Sequence, residues 1–268
     1  MDKQNILRLV EEKEYKKAKE LIIEALNNTE KDIELVKLLG LCNINLNYLD
    51  EALKNFEDFL NQNPDDALSL YYMATIYLGK DKSDEAELLL KKVIELRKDY
   101  LDAYKTLAVA LMKQKKSQEV FEYETKMLEI GSEDVQVYEI LSSVALENTK
   151  FSSAIEYLEK AIALEPDNSR LYNKLGLTYF SSGNVQRSIE LYSKALELTP
   201  DDSSVLYNIG LAYFSIESFQ ESYSYLKKAS EIIVKEQYLN AYAMSALKSM
   251  HYQDAISLYE DLVKKNPD

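Results

Sequence analysis

The stretch SRLYNKLGLTYFSSGNVQRSIELYSKALELTPDD, which runs from Ser169 to Asp202, carries the pattern that decides the fold. Its apolar residues recur every three or four positions, which is the spacing of one buried face of an α-helix. Two blocks show this spacing, the first formed by Leu171, Leu175 and Tyr179 and the second by Ile189, Tyr192 and Leu196. The stretch therefore predicts two helices. Pro200 marks the end of the second, because proline cannot continue a helix.

The four prolines show that this helix pair is repeated. Pro64, Pro166, Pro200 and Pro267 are separated by 102, 34 and 67 residues, which are three periods of 34, one period, and two periods less one. The spacing indicates a helix-pair repeat of ~34 residues. It divides the whole chain into eight units: 1–32, 33–66, 67–100, 101–134, 135–168, 169–202, 203–235 and 236–268. Because a helix pair cannot cover its own apolar stripes and stacked neighbours can, we predict one domain, 1–268.

Small residues recur in register at two positions of the unit. The eighth position holds Gly40, Ala74, Ala108, Ser142, Gly176, Gly210 and Ala243, with Ile6 as the exception in the first unit. The twentieth position holds Ala18, Ala52, Ala86, Val120, Ala154, Ser188, Ser222 and Ala255. Glycine inside a helix costs ~1 kcal/mol relative to alanine, so close helix packing must justify the three glycines of the eighth position.

This combination of period and small sites resembles the tetratricopeptide repeat family, and the resemblance covers the entire chain. It implies an all-α fold, a right-handed α-solenoid or superhelix of about eight tandem helix-turn-helix repeats. It also implies a non-catalytic protein that binds a protein or peptide. The chain is poor in turn formers, with 6 glycines and 4 prolines, which independently favours an all-α class.

In the family, the first helices of the repeats line a groove through their second, fifth, ninth and twelfth positions. Carried onto this chain, the resemblance implies a partner-binding groove formed by Leu41, Ile44, Leu78, Val109, Met112, Asn173, Leu177, Phe180, Tyr207, Asn208, Leu211, Phe214, Asn240, Met244 and Leu247. A groove this apolar indicates an apolar or amphipathic ligand. The alternative is that the twelfth position packs against its neighbours. A carboxylate clamp is not expected, because Leu41 and Leu177 stand where the clamp needs asparagine.

Composition excludes several classes of partner and compartment. The 46 acidic residues against 32 basic ones give a formal charge of -14, which repels phosphate backbones and makes nucleic acid an unsuitable partner. No apolar stretch approaches the ~18 residues of a membrane span, so membrane insertion is not expected. The opening residues lack the apolar segment of a secretory signal, and a single cysteine forms no internal disulfide. We therefore predict a cytoplasmic protein.

No motif for catalysis, metal or cofactor binding occurs, and we predict neither enzymatic activity nor a cofactor. His251, the only histidine, is interpreted as a surface residue in the turn of the last helix pair. Cys42 is interpreted as a small buried hydrophobe in the first helix of the second unit. The acidic pairs Asp65–Asp66 and Asp201–Asp202 follow prolines, where acidic residues suit a helix start better than a metal site.

Two places depart from the repeat. The spacing from Ser222 to Ala255 is 33 residues, so the turn near Val234 to Glu236 is one residue short. The fourth unit has Val120 at a small site and Glu124 where an apolar residue is expected. Either Glu124 reaches solvent along a tolerant edge, or residues 101–134 form a soft joint.

Three functions are compatible with these patterns. The first is a scaffold or adaptor that holds a peptide or amphipathic helix in the groove. The second is a targeting arm of a larger enzyme or of a secretion or assembly machine, suggested by the finish at Asn266, Pro267 and Asp268 without a polar capping helix. The third is self-association.

Overall fold

Sixteen α-helices and one 3₁₀ helix make up most of the residues that the computed structural model describes, which are 3–28 and 32–265. The α-helices are α1 (Lys3–Glu11), α2 (Tyr15–Asn28), α3 (Ile33–Asn45), α4 (Leu49–Leu60), α5 (Ala67–Gly79), α6 (Ser83–Leu96), α7 (Leu101–Lys113), α8 (Glu124–Ile130), α9 (Val135–Glu147), α10 (Phe151–Leu164), α11 (Ser169–Ser181), α12 (Val185–Leu198), α13 (Ser203–Ser215), α14 (Phe219–Ile232), α15 (Glu236–Lys248) and α16 (Tyr252–Lys265). The 3₁₀ helix, Ser117–Glu122, lies between α7 and α8. The predicted all-α class is confirmed. Pro267 lies outside the described residues.

The chain forms two compact units, Met1–Ser132 and Glu133–Asp268. Each is a series of antiparallel helix pairs in which consecutive helices pack on one another. In the first unit α3 packs with α4 and α5 with α6. In the second unit the pairs are α9 with α10, α11 with α12, α13 with α14 and α15 with α16. The grouping of all eight predicted ranges into one domain stays a prediction.

The small residues lie where the two helices of a pair touch. All eighth-position and twentieth-position residues named above are buried. A β-carbon on Gly40 would stand 2.9 Å from the ring of Phe56, and one on Gly210 would stand 2.7 Å from the side chain of Leu226. Side-chain carbons do not approach this closely, so glycine is required for the observed helix spacing.

Each turn within a pair contains one residue in the left-handed backbone region. Seven of these residues are not glycine: Lys13, Asn47, Asp81, Lys115, Thr149, Glu217 and Met250. Gly183, with φ 89°, is the glycine at the same place. The turns thus share one tight geometry, and most of them hold it with residues that prefer other backbone conformations.

At the start of most first helices, an acidic or amide side chain accepts a hydrogen bond from a backbone N–H group. Asp66 accepts a hydrogen bond from the backbone N–H of Ser69, and Asp202 accepts from those of Ser204 and Val205. The interpretation of these acidic residues as helix starts is confirmed. Asp65 forms an ion pair with Lys92 at 3.0 Å.

The turn between α14 and α15 is the short one, as the phase slip predicts. It spans 233–235, whereas the turn between α12 and α13 spans 199–202. Lys235 precedes α15 without a side-chain cap. The slip therefore removes one residue from the connection and leaves the helix pairing intact.

The fourth helix pair is irregular in its second half. A 3₁₀ helix and the seven-residue α8 replace the single long helix found in the other pairs. Val120 and Met127 are nonetheless fully buried, and Glu124 is half-buried. The departure predicted at Val120 and Glu124 therefore coincides with a change in helix type.

No helix among the described residues is both long enough and apolar enough to cross a membrane.

Candidate partner-binding surface

The predicted groove residues all lie on the first helices of the pairs. In the first unit Leu41 and Ile44 are on α3, Leu78 is on α5, and Val109 and Met112 are on α7. Val109 is exposed and the other four are half-buried. Ile44 also packs against the buried cluster around Phe56, so the twelfth position there is shared between core and surface.

In the second unit, three neighbouring first helices carry an apolar ladder. We call it the C-terminal ladder, and it consists of Leu177 and Phe180 on α11, Leu211 and Phe214 on α13, and Met244 and Leu247 on α15. Leu177 is 41% exposed, and Met244 and Leu247 are each 49% exposed. The two phenylalanines and Leu211 are half-buried. The ladder therefore combines an anchored aromatic floor with exposed aliphatic side chains.

The phenylalanines are held by neighbouring helices. Phe180 packs against the buried cluster that contains Ile189 and Tyr192. Phe214 meets Phe219 edge to face, with ring centroids 5.3 Å apart. These contacts restrict the rings before any ligand binds, which lowers the entropy lost on binding.

An amide pair lies beside the ladder. Asn208 donates a hydrogen bond through Nδ2 to Oδ1 of Asn173 at 2.9 Å. Both residues are half-buried, and Asn240 on the next first helix is exposed. A paired amide still has one N–H and further acceptor capacity for a ligand. The structure thus brings together two of the three predicted asparagines.

Tyr207, next to Asn208 on α13, forms an aromatic stack with a residue of the next first helix. Its ring lies 4.4 Å from that of Tyr238, with an interplanar angle of 16°. Burial, and then the neighbouring Tyr238, raise the pKa of Tyr207. The phenol is therefore neutral near pH 7 and can serve only as a hydrogen-bonding or packing group.

A charged cluster that was not predicted from the sequence lies beside the C-terminal ladder, between α9 and α11. Glu139 on α9 is buried and pairs with Arg170 at 2.6 Å and with Lys174 at 2.9 Å, both on α11. Arg170 keeps a largely exposed side chain. One acid and two bases leave a local charge of about +1 on this part of an acidic protein.

A common spacing connects these contacts. Glu139 and Lys174, and likewise Asn173 and Asn208, are separated by 35 residues, one more than the repeat. The same spacing joins Tyr71 and Thr106 in the first unit, with 3.5 Å between their hydroxyl oxygens. The fifth position of one first helix therefore meets the sixth position of the next. A search for complementary side chains 35 residues apart would have found the charged cluster.

The one cysteine, Cys42, has a packing role. Cys42 is fully buried, and burial raises the pKa of its thiol to about 11, which opposes the nucleophilic thiolate form. The description of Cys42 as a buried hydrophobe is confirmed. Among residues 3–28 and 32–265, no group of three or more His, Cys, Asp or Glu is arranged to hold a metal ion.

His251 lies in the predicted turn and is partly exposed, but its ring also packs on a neighbouring helix. Its ring stacks on Tyr223 with centroids 3.9 Å apart and an angle of 8°. Its Nδ1 lies 2.9 Å from the hydroxyl of Ser249, and the residue is half-buried. It thus joins the last turn to α14.

Comparisons with known proteins agree with this architecture. The model of the tetratricopeptide repeat family matches residues 141–203 and 175–230. No curated protein matches the chain in sequence.

Solved structures share the fold at low sequence identity. The C-terminal part of a tetratricopeptide repeat protein from Cytophaga hutchinsonii is 14% identical, with a TM-score of 0.74 over 89% of this chain and 98% of that one. PilF of Pseudomonas aeruginosa is 20% identical, with a TM-score of 0.63 over 75% of this chain and 92% of that one. YrrB, a tetratricopeptide repeat protein with an unusual peptide-binding site, is 18% identical, with a TM-score of 0.61 over 69% of this chain and 95% of that one.

The family model and the helix pairs point to the same conclusion. Tetratricopeptide repeats are in general a protein-interaction fold, which is consistent with the exposed apolar ladder. Residues 141–230 match the tetratricopeptide repeat family, and over most of its length the chain is similar in fold to a solved tetratricopeptide repeat protein.

Proposed function

We propose that this protein is a non-catalytic scaffold that holds a peptide or an amphipathic helix against the first helices of its second unit. The observation that carries the proposal is the C-terminal ladder, in which Leu177, Met244 and Leu247 are exposed beside half-buried phenylalanines. Burial of apolar surface contributes roughly 25 cal/mol per Å², so covering such side chains supplies most of the driving force for binding.

The polar groups beside the ladder supply orientation. The pair formed by Asn173 and Asn208 offers an amide donor and acceptor to the backbone or side chains of a ligand. Arg170, with its exposed guanidinium, attracts an acidic group at the α9 side. We therefore propose a ligand that is apolar where it meets α13 and α15 and acidic where it approaches Arg170.

A peptide is the ligand class that suits this arrangement. An amphipathic helix presents apolar residues at three- and four-residue spacing, and an extended segment presents alternate side chains. YrrB, which shares the fold, has a peptide-binding site. We place this scaffold in the cytoplasm, in keeping with its single, buried cysteine. Its alternatives, a targeting arm of a larger machine and self-association, stay predictions.

Partner capture from the native host tests the proposal. The intact chain is used as bait, and Phe180→Glu with Phe214→Glu is the disrupting variant. We expect this variant to lose the captured protein, because two carboxylates would have to be desolvated against an apolar ligand.

Two further variants make the result interpretable. Leu177→Glu with Met244→Glu changes only exposed ladder residues, so it separates lost binding from lost folding. Leu88→Glu changes an equally apolar residue, 72% exposed, on α6 in the first unit, and serves as the matched control. If both ladder variants melt like the native protein and still capture the partner equally well, the ladder is not the binding site.

A further inference from the structure

A cavity of about 530 Å³ lies in the second unit, where the turn between α12 and α13 meets α14. Its floor is apolar. Leu206 of α13 is 4% exposed and belongs to a buried cluster against which Leu196 of α12 and Tyr225 of α14 pack, and all three line the cavity. No residue of the C-terminal ladder lines it. The cavity is therefore a separate site from the groove.

The corresponding place one repeat earlier is filled. There Tyr172 stands where α13 has Leu206, and it packs in one cluster with Ile162 and Leu191, which correspond to the other two floor residues. The cavity at that turn is smaller, about 350 Å³, and is lined by residues 165–168 alone. A leucine in place of a tyrosine thus leaves space above the apolar floor that the preceding repeat fills with a side chain.

Three charged side chains line the cavity beside this floor, and they are Asp201, Lys228 and Glu231. All three are exposed, and none of them forms an ion pair with another residue that the structure describes. One repeat earlier the counterparts of the last two, Lys194 and Glu197, are paired at 2.9 Å. Two acids against one base give the cavity a negative charge, and these groups are free to meet a ligand.

Tyr225 adds an aromatic surface to the cavity. One face of its ring is stacked on Tyr213, with centroids 5.6 Å apart and an interplanar angle of 5°. This stack fixes the orientation of a ring that also lines the cavity. The face of an aromatic ring attracts positive charge, and carboxylates form charge-assisted hydrogen bonds with ammonium groups. An aromatic ring beside two unpaired acids is therefore the chemistry that recognises an organic cation.

We propose that this cavity binds a small organic cation with an apolar body. The floor takes the body, and Asp201 and Glu231 take the ammonium group. The cavity volume lies in the range of roughly 300 to 1,000 Å³ that is typical of small-molecule sites. A protein interface uses about 20 to 30 residues on each side, whereas eight residues line this cavity. An anion is disfavoured by the local acids and by the formal charge of -14.

Three compounds of matched shape test this charge preference. Phenethylamine carries an ammonium group, phenethyl alcohol a neutral hydroxyl and phenylacetate a carboxylate beside the same phenyl ring. Binding of each compound to the full chain is followed by saturation-transfer NMR and quantified by titration. We expect saturable binding of phenethylamine, binding of phenethyl alcohol that is weaker by about fivefold or more, and the weakest binding for phenylacetate.

A charge variant and its matched control locate the site. Asp201→Asn with Glu231→Gln should weaken phenethylamine by about fivefold or more and leave phenethyl alcohol unchanged. Both residues are exposed, so the variant is expected to fold. Asp167→Asn with Glu197→Gln makes the same changes one repeat earlier and should leave both compounds unchanged.

Leu206→Tyr restores the residue type of the preceding repeat and should block phenethylamine and phenethyl alcohol alike by filling the cavity, while a circular dichroism melt shows whether the variant folds. Leu177→Glu with Met244→Glu, in the groove, should leave phenethylamine binding unchanged. Absence of saturable phenethylamine binding at millimolar concentration would overturn the proposal. Equal binding of the three compounds, or equal loss in the charge variant and its control, would overturn it too.

Discussion

The phenol ring of Tyr192 on α12 lies so close to the backbone of Gly176 on α11 that a β-carbon at Gly176 would stand 2.7 Å from the ring. Tyr192 is 1% exposed and belongs to the core that joins α12 to α13. The glycine therefore sets the spacing within one helix pair, and the tyrosine that uses this space also joins that pair to the next.

Replacing Gly176 with leucine should destabilise the protein by about 1 to 3 kcal/mol, because the ring has no space into which to retreat. Gly79→Leu is the matched control, since a β-carbon there meets nothing within 4 Å. The control should be neutral or slightly stabilising through helix propensity. Urea unfolding followed by circular dichroism measures both, and an unchanged midpoint for Gly176→Leu would contradict the packing described for this site.

Replacing Thr149 with glycine should stabilise the protein by about 0.5 to 1 kcal/mol. Thr149 is exposed and has a φ of 55°, a conformation that is strained for a β-branched residue and accessible to glycine. The gain is reduced by the greater entropy of glycine in the unfolded chain. Gly183→Thr, at the same place one repeat later, should have the opposite effect. If the melting temperatures of the two variants shifted in the same direction, this would refute backbone strain as the common cause.

Glu87 should make stability depend on pH in the acidic range. Burial opposes ionisation of this carboxyl, but hydrogen bonds from Lys91, Lys116 and Gln114 more than offset that effect and lower its pKa from 4.5 to about 2. An unfolded chain then binds a proton at higher pH than the folded one, so stability is fully present above about pH 4.5 and is lost as pH falls towards 2.

Glu87→Gln should therefore flatten the profile of unfolding free energy between pH 4.5 and 2 by about 1 to 3 kcal/mol. Glu156→Gln is the control, because Glu156 forms an exposed pair with Lys160 on one helix and such pairs contribute little. Denaturant unfolding at a series of pH values provides the measurement. Parallel profiles for the native protein and Glu87→Gln would rule out the assigned role.

Backbone amides of residues 117–130 should exchange with solvent faster than those of α6. The 3₁₀ helix and the short α8 have fewer regular helical hydrogen bonds than α6, which spans Ser83–Leu96. Hydrogen exchange read by mass spectrometry compares both segments in one sample. Equal protection would show that the buried Val120 and Met127 make this irregular segment as rigid as a regular helix, and the soft joint would be excluded.

The helix pairs, the small sites and the short turn were all predictable from the sequence. Close contacts between the two helices of a pair recur at every repeat, so their residue types recur at a fixed spacing that can be read along one dimension. Gly176 and Ser222 show this directly, since each is buried at the predicted crossing. The positions of the groove residues on first helices followed from the same register.

Other features depended on the tertiary structure. The left-handed turns at Lys13 and Thr149 carry no glycine, so their residue types did not predict this backbone conformation. The pairing of Glu139 with Lys174, and the stacking of His251 on Tyr223, depend on how neighbouring helices are rotated about their axes. Tyr223 is buried because α15 packs over it, whereas Ile256, at the corresponding place one repeat later, is exposed. Periodicity specifies which face of a helix is apolar, but only the arrangement of neighbouring helices decides which of those faces is covered.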